Sequence, residues 1–142
     1  MIRKHGTAHW SGSIKEGGGE VSTQTDVLKS APYGFNARFE GGPGTNPEEL
    51  IGAAHAACFA MAMSLGLGNE GLTADDIDAK STVSLEEVDG GFAITKIHLD
   101  VTAKVPGATP EKFAEVAEAT KKGCPVSKVL TGAEITMDAK LV

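Results

Sequence analysis

From Asn46 to Asn69 the chain carries a run of small and apolar residues with almost no polar face, and that run limits what the rest can build around it. Asn46 is of the residue type that caps a helix N-terminus, Pro47 suits the first helical position, and Glu49 stands three residues after the cap, where it can return a hydrogen bond to it. Gly68 and Asn69 supply a stop. The spacing predicts one helix between these signals, with Leu50, Ala54, Cys58, Met61 and Leu65 on a single stripe. Its other side is Ala, Gly and Met rather than charged residues, so the helix should be covered nearly all round. That is difficult within a monomer of 142 residues. Small residues at Gly52, Ala53, Ala56, Ala57 and Ala60 allow a second backbone to come close, and a homodimer is therefore expected. The run approaches transmembrane length but is weakly apolar, holds His55 and Ser64, and follows Glu48 and Glu49. A buried helix of a soluble protein is the expectation, with no membrane partner.

Around this helix the hydrophobic period changes. Thr7 to Ser11 and Glu20 to Gln24 have strand character about a turn at Gly17 to Gly19, and Tyr33 to Phe39 reads as a further short strand or ordered loop. Ile77, Ala79, Ser81, Val83 and Leu85 alternate with polar residues, as do Ile97, Leu99, Val101, Ala103 and Val105. With Asp89 to Gly91 between them they predict a long antiparallel hairpin with one buried face. Thr109 and Pro110 open a helix whose inner stripe is Phe113, Val116, Ala117 and Thr120, and a last strand alternates from Ala133 to Leu141. The order gives an α+β fold. A hydrophobic content of 41% supports one domain spanning residues 1–142. A net charge of -6 and the lack of any basic cluster longer than Lys121 and Lys122 exclude nucleic acid as an expected partner.

Two cysteines carry the chemistry. Cys58 lies within the apolar helix, while Cys124 lies between Gly123, which closes one helix, and Pro125, which suits the first position of the next. A cap position beside a helix end and two lysines favours thiolate at Cys124. No Cys-x-x-Cys spacing is present, which leaves a thioredoxin-like motif or a zinc ribbon unsupported. His5, His9 and His98 are scattered, so no metal and no cofactor is expected. The opening residues Met1 to Thr7 lack a signal-peptide apolar stretch, which points to the cytoplasm and to thiols that start reduced.

The stretch from Gly44 to Leu50, the continuation from Ala53 to Phe59, and Lys122 to Ser127 together resemble the OsmC/Ohr family of thiol-dependent peroxidases. Ala8 to Trp10, Tyr33 to Asn36 and Gly90 to Lys96 resemble its OsmC branch in particular. The resemblance covers nearly the whole chain. It implies an intertwined homodimer with β-sheets wrapped around long central helices, two active sites at the subunit interface, and reduction of hydroperoxides to alcohols. Position by position, it makes Cys58 the peroxidatic cysteine and Cys124 the resolving one, with Glu48 and Arg38 matching the family's catalytic glutamate and arginine. A small dithiol is the reductant it suggests.

These residue types suit the chemistry. A thiolate attacks peroxide oxygen and becomes a sulfenic acid, with which a second thiol condenses to a disulfide. Burial in an apolar helix disfavours the Cys58 thiolate, so a fixed cation is needed; Arg38 can supply it, oriented by bidentate pairing to Glu48. Glu48 and Cys58 are ten residues apart, about 15 Å along a straight helix, so Glu48 serves Cys58 of a second chain unless the helix is broken. Two other functions fit parts of the pattern. His55, three residues before Cys58, could support a Cys-His hydrolase or transferase. A non-catalytic stress protein binding small apolar ligands needs neither thiol.

Overall fold

The computed structural model describes residues 1–142, which form two units, Met1–Leu50 and Ile51–Val142. In the first unit, strands β1 (Gly6–Ser11), β2 (Gly18–Thr23) and β3 (Ala31–Tyr33) form an antiparallel sheet in that order. The expected turn at Gly17 to Gly19 lies earlier, between Ser11 and Gly18, while Gly18 and Gly19 are strand residues. Gly19 is there because of close approach rather than turning. A Cβ at that position would stand 2.5 Å from the Tyr33 ring, with the His9 carbonyl closer still. Between Tyr33 and Phe39 the chain is neither a continuous strand nor a loop: β3 ends and a short helix, α1 (Phe35–Phe39), begins.

Helix α2 runs unbroken from Pro47 to Asn69, the bounds that its cap and stop residues dictate. The Asn46 side chain accepts the Glu49 amide at 2.8 Å, the expected cap. Glu49 does not return the bond to Asn46; its carboxylate accepts the Thr45 hydroxyl at 2.6 Å. Beyond Asn69, Gly71 takes the left-handed conformation at φ 74° and the Leu72 amide donates back to the Leu67 carbonyl, which ends the helix.

In the second unit, β4 (Asp76–Val88) and β5 (Gly91–Lys104) form the long hairpin. Its two-residue turn, Asp89 and Gly90, has positive φ at both positions, as the favoured hairpin turn requires. Helices α3 (Pro110–Gly123) and α4 (Pro125–Val129) then carry the chain across so that β6 (Glu134–Leu141) lies parallel beside β5. The sheet order is β4-β5-β6 and the fold is α+β. Thr109 caps α3, accepting the Lys112 amide, and Phe113, Val116, Ala117 and Thr120 form its buried face.

The core joins Phe59, Met63 and Leu67 of α2, Leu99, Val101 and Ala103 of β5 with the adjoining Val105, and Phe113, Val116 and Ala117 of α3. Burying each large apolar side chain stabilises the fold by roughly 1.5–3 kcal/mol. The stripe of α2 that enters this core is not the expected one. Gly52, His55, Phe59, Met63 and Leu67 point inward, while Met61 and Leu65 are 76% and 68% exposed. Gly52 lets the helix lie against β4, because a Cβ there would stand 2.8 Å from the Ser81 carbonyl oxygen.

Candidate active site

Within the first unit, Arg38 of α1 reaches Glu48 in the first turn of α2. Arg38 donates from Nε to Oε1 at 3.1 Å and to Oε2 at 3.3 Å, and a terminal guanidinium nitrogen donates to Oε1 at 2.7 Å. Glu48 is nearly buried and the Arg38 side chain 37% exposed, so the carboxylate is a fixed anchor and the guanidinium keeps one side open. The open side meets aromatic surface. Arg38 lies 5.4 Å from the Phe39 ring centroid and shares with Trp10, Ile14, Tyr33, Phe35 and Phe39 the wall of a cavity of about 280 Å³. The arginine thus lies on a helix rather than on a strand or loop. The bidentate pairing expected from the sequence is present.

Within the second unit, the two thiols meet at the start of α4. Cys124 ends α3, its amide donating to the Thr120 carbonyl at 3.0 Å, and caps α4, its Sγ accepting the Ser127 amide at 3.3 Å. Cys124 is buried and Cys58 half-buried, and both thiols are free. Cys58 lies beside the Cys124 side chain and the Val126 amide, the two neighbours that act on its ionisation. Burial pushes the Cys58 thiol pKa up, the Val126 amide opposes this, and the neighbouring Cys124 adds to the rise. The shift has the direction expected for a thiol whose ionisation needs help from a cation.

His55 is fully buried. Its Nδ1 lies 2.8 Å from the Ser81 hydroxyl and its Nε2 2.8 Å from the Ser127 hydroxyl, while the Cys124 thiol donates to that same Ser127 oxygen at 3.1 Å. Burial lowers the imidazole pKa and keeps the ring neutral. Both nitrogens are engaged with hydroxyls, so the Cys58–His55 pair needed for a hydrolase does not form. Sequence reasoning did not find Val126 or Ser127. The signal for Ser127 was Cys124 itself, because a cap side chain accepts the amide two or three residues on; Val126, whose amide faces Cys58, left none.

The structure therefore brings Cys58 to Cys124 and Arg38 to Glu48. The OsmC-like protein family matches residues 40–140. Peroxiredoxin OsmC of Escherichia coli strain K12 is 59% identical over 140 residues, which is 99% of this chain and 97% of that one. The chain belongs to the OsmC-like family. Organic hydroperoxide resistance protein OhrB of Bacillus subtilis is 32% identical over 124 residues, 87% of each chain. The crystal structure of the B. subtilis OhrB superposes with a TM-score of 0.75 at 27% identity, covering 98% of both chains.

One other cluster in this OsmC-like chain faces solvent. His98 on β5 hydrogen-bonds through Nδ1 to Thr136 at 2.6 Å and approaches Asp138 and Asp100 through Nε2 at 3.1 and 3.4 Å. The parallel register of β5 and β6, which sets His98 beside Thr136 and Asp100 beside Asp138, creates it.

Proposed function

We propose that this chain is a cysteine-based peroxidase of stress defence that reduces organic hydroperoxides to alcohols, with Cys58 as the attacking thiol and Cys124 as the resolving one. The neighbouring pair of free thiols at the start of α4 carries this reading, because neither a hydrolase nor an apolar-ligand carrier needs the second thiol. The Cys58 thiolate attacks the distal peroxide oxygen; the O–O bond breaks, the alkoxide takes a proton and leaves as alcohol, and Cys58 becomes a sulfenic acid. Cys124 then forms the S–S bond while the sulfenic oxygen leaves as water. A small dithiol returns the disulfide to two thiols.

Arg38 supplies the cation that draws the Cys58 thiolate and peroxide together, held in place by Glu48. The aromatic cavity beside Arg38 is suited to the organic group of the peroxide, and a bulky apolar hydroperoxide is the preferred substrate. Helix α2 is unbroken between Glu48 and Cys58, ten residues or about 15 Å apart. The Arg38–Glu48 pair therefore serves Cys58 of the partner subunit in a homodimer. Exposed Met61 and Leu65 give α2 an apolar outer face for the second copy to cover.

Separate cysteine variants test the assignment. Cys58→Ser abolishes peroxide consumption. Cys124→Ser consumes one equivalent and stops with Cys58 trapped as a sulfenic or over-oxidised acid. Repeated turnover by Cys58→Ser would remove Cys58 from its role.

A further inference from the structure

A line of polar groups, buried as far as His55 and half-buried at Ser81, runs from Cys124 into the molecule: the Cys124 thiol, the Ser127 hydroxyl, the His55 imidazole and the Ser81 hydroxyl, each within hydrogen-bonding distance of the next. Ser127 and His55 are 2% and 0% exposed, so no bulk water competes for these bonds. The donor pattern orders the protons. Ser127 Oγ accepts the Cys124 S–H, and in the tautomer that leaves His55 Nε2 unprotonated the Ser127 proton points to Nε2 while Nδ1–H donates to Ser81. In that tautomer the basic nitrogen of the line is aimed, through one hydroxyl, at the thiol that has to lose a proton.

We propose that His55 is a positioning residue for resolution: acting through Ser127, it takes the proton of Cys124 as that thiol attacks the Cys58 sulfenic acid, and it plays no part in the attack on peroxide. This rests on the peroxidase reading above. The S–H bond of Cys124 breaks and the S–S bond forms as the S–O bond of Cys58 breaks, so Cys124 is oxidised and the sulfenic sulfur reduced. The Cys124 proton moves to Ser127 Oγ while the Ser127 proton moves to His55 Nε2. The same path then returns it to the departing hydroxide, which leaves as water.

Burial suits His55 to this transient role, because the neutral ring it favours is the form that can accept. The groups around His55 leave few rivals for the proton. From β4 it meets Ser81, and the inward neighbours there, Ala79 and Val83, are apolar. From the α3–α4 junction it meets Ser127, with Cys124 behind it. On α2 itself the titratable residues are Cys58, Glu48 and Glu49.

The test is stopped-flow oxidation of the reduced full chain by one equivalent of cumene hydroperoxide. Peroxide loss is followed separately from dimedone-trappable sulfenic acid between pH 5 and 8. Ser127→Ala removes one oxygen and His55→Gln keeps hydrogen-bonding capacity without a titrating ring. Both variants are expected to consume the first equivalent at the parent rate and to prolong the sulfenic acid by about 10²-fold, the low end of general-base effects. The parent's resolution rate should fall on acidification below the ordinary histidine range, about 6.5, and both variants should lack that acid limb. Should His55→Gln fail to fold, Ser127→Ala carries the test alone. Parent-like resolution with the same pH profile in Ser127→Ala overturns this inference while leaving the peroxidase reading intact. A parent chain that consumes no peroxide overturns both.

Discussion

Glu48→Gln isolates the contribution of the Arg38 anchor without creating a cavity. Glu48 accepts three guanidinium contacts at 2.7, 3.1 and 3.3 Å, and glutamine preserves its size while removing the charge and one acceptor oxygen. A hydrogen bond to a charged group is worth roughly 1.5–3 kcal/mol. The Arg38 side chain is 37% exposed, so water replaces part of the lost interaction and the lower end of that range applies. A loss of about 1.4 kcal/mol of positioning corresponds to about tenfold in rate. The rate constant for the first oxidation of Cys58 by cumene hydroperoxide should fall by that factor, while the subsequent disappearance of sulfenic acid keeps its parent rate. Arg38→Lys provides the internal control, because an ammonium retains the charge but not the planar fork; it should fall at least as far. First-oxidation rates in Glu48→Gln within about twofold of the parent, roughly 0.4 kcal/mol, would refute the claim that the carboxylate positions the guanidinium for catalysis.

Gly52→Ala places a Cβ 2.8 Å from the Ser81 carbonyl and should cost about 1–3 kcal/mol of stability by forcing α2 away from β4, read as a lowered denaturation midpoint; an unchanged midpoint would mean that the contact is not tight. The exposed apolar face of α2 predicts a melting temperature that rises with protein concentration, and co-refolding Glu48→Ala with Cys58→Ser should give activity above that of either parent, whereas heterodimers no more active than Glu48→Ala would place Glu48 outside the partner's site. Because the folded Cys58 pKa is raised, the folded chain holds its proton after the unfolded chain has lost it; the Cys58 contribution to stability is fully present below about pH 8.5 and is lost as pH rises through the folded value. Cys58→Ser should flatten that alkaline decline in denaturation experiments.

Local signals made much of the scaffold legible. Asn46 and Pro47 start α2 and the residues after Leu67 stop it through bonds between near neighbours, so its bounds follow from the sequence. Thr109 with Pro110 and Asp89 with Gly90 did the same for α3 and the hairpin. The phase of α2 was not legible. A helix apolar on nearly every side offers no polar face to fix its rotation, and the inward positions proved to be Gly52, His55, Phe59, Met63 and Leu67 rather than Leu50, Ala54, Cys58, Met61 and Leu65. Helix α1 was too short for periodicity to reveal, so the setting of Arg38 became visible only with its Glu48 pairing. The His55–Ser127 bond joins positions 72 residues apart, and the His98 cluster needs a parallel register; neither leaves a local trace.

The central claim is that one organic hydroperoxide molecule converts the Cys58 and Cys124 thiols into a single disulfide. Peptide mapping by mass spectrometry, after anaerobic addition of one equivalent of cumene hydroperoxide to the fully reduced chain, measures this directly. The predicted result is loss of both thiols per chain, one equivalent of cumyl alcohol, and a cross-linked pair of peptides containing Cys58 and Cys124. Recovery of both free thiols with the peroxide intact, or oxidation of Cys58 with Cys124 left as a free thiol, would contradict it.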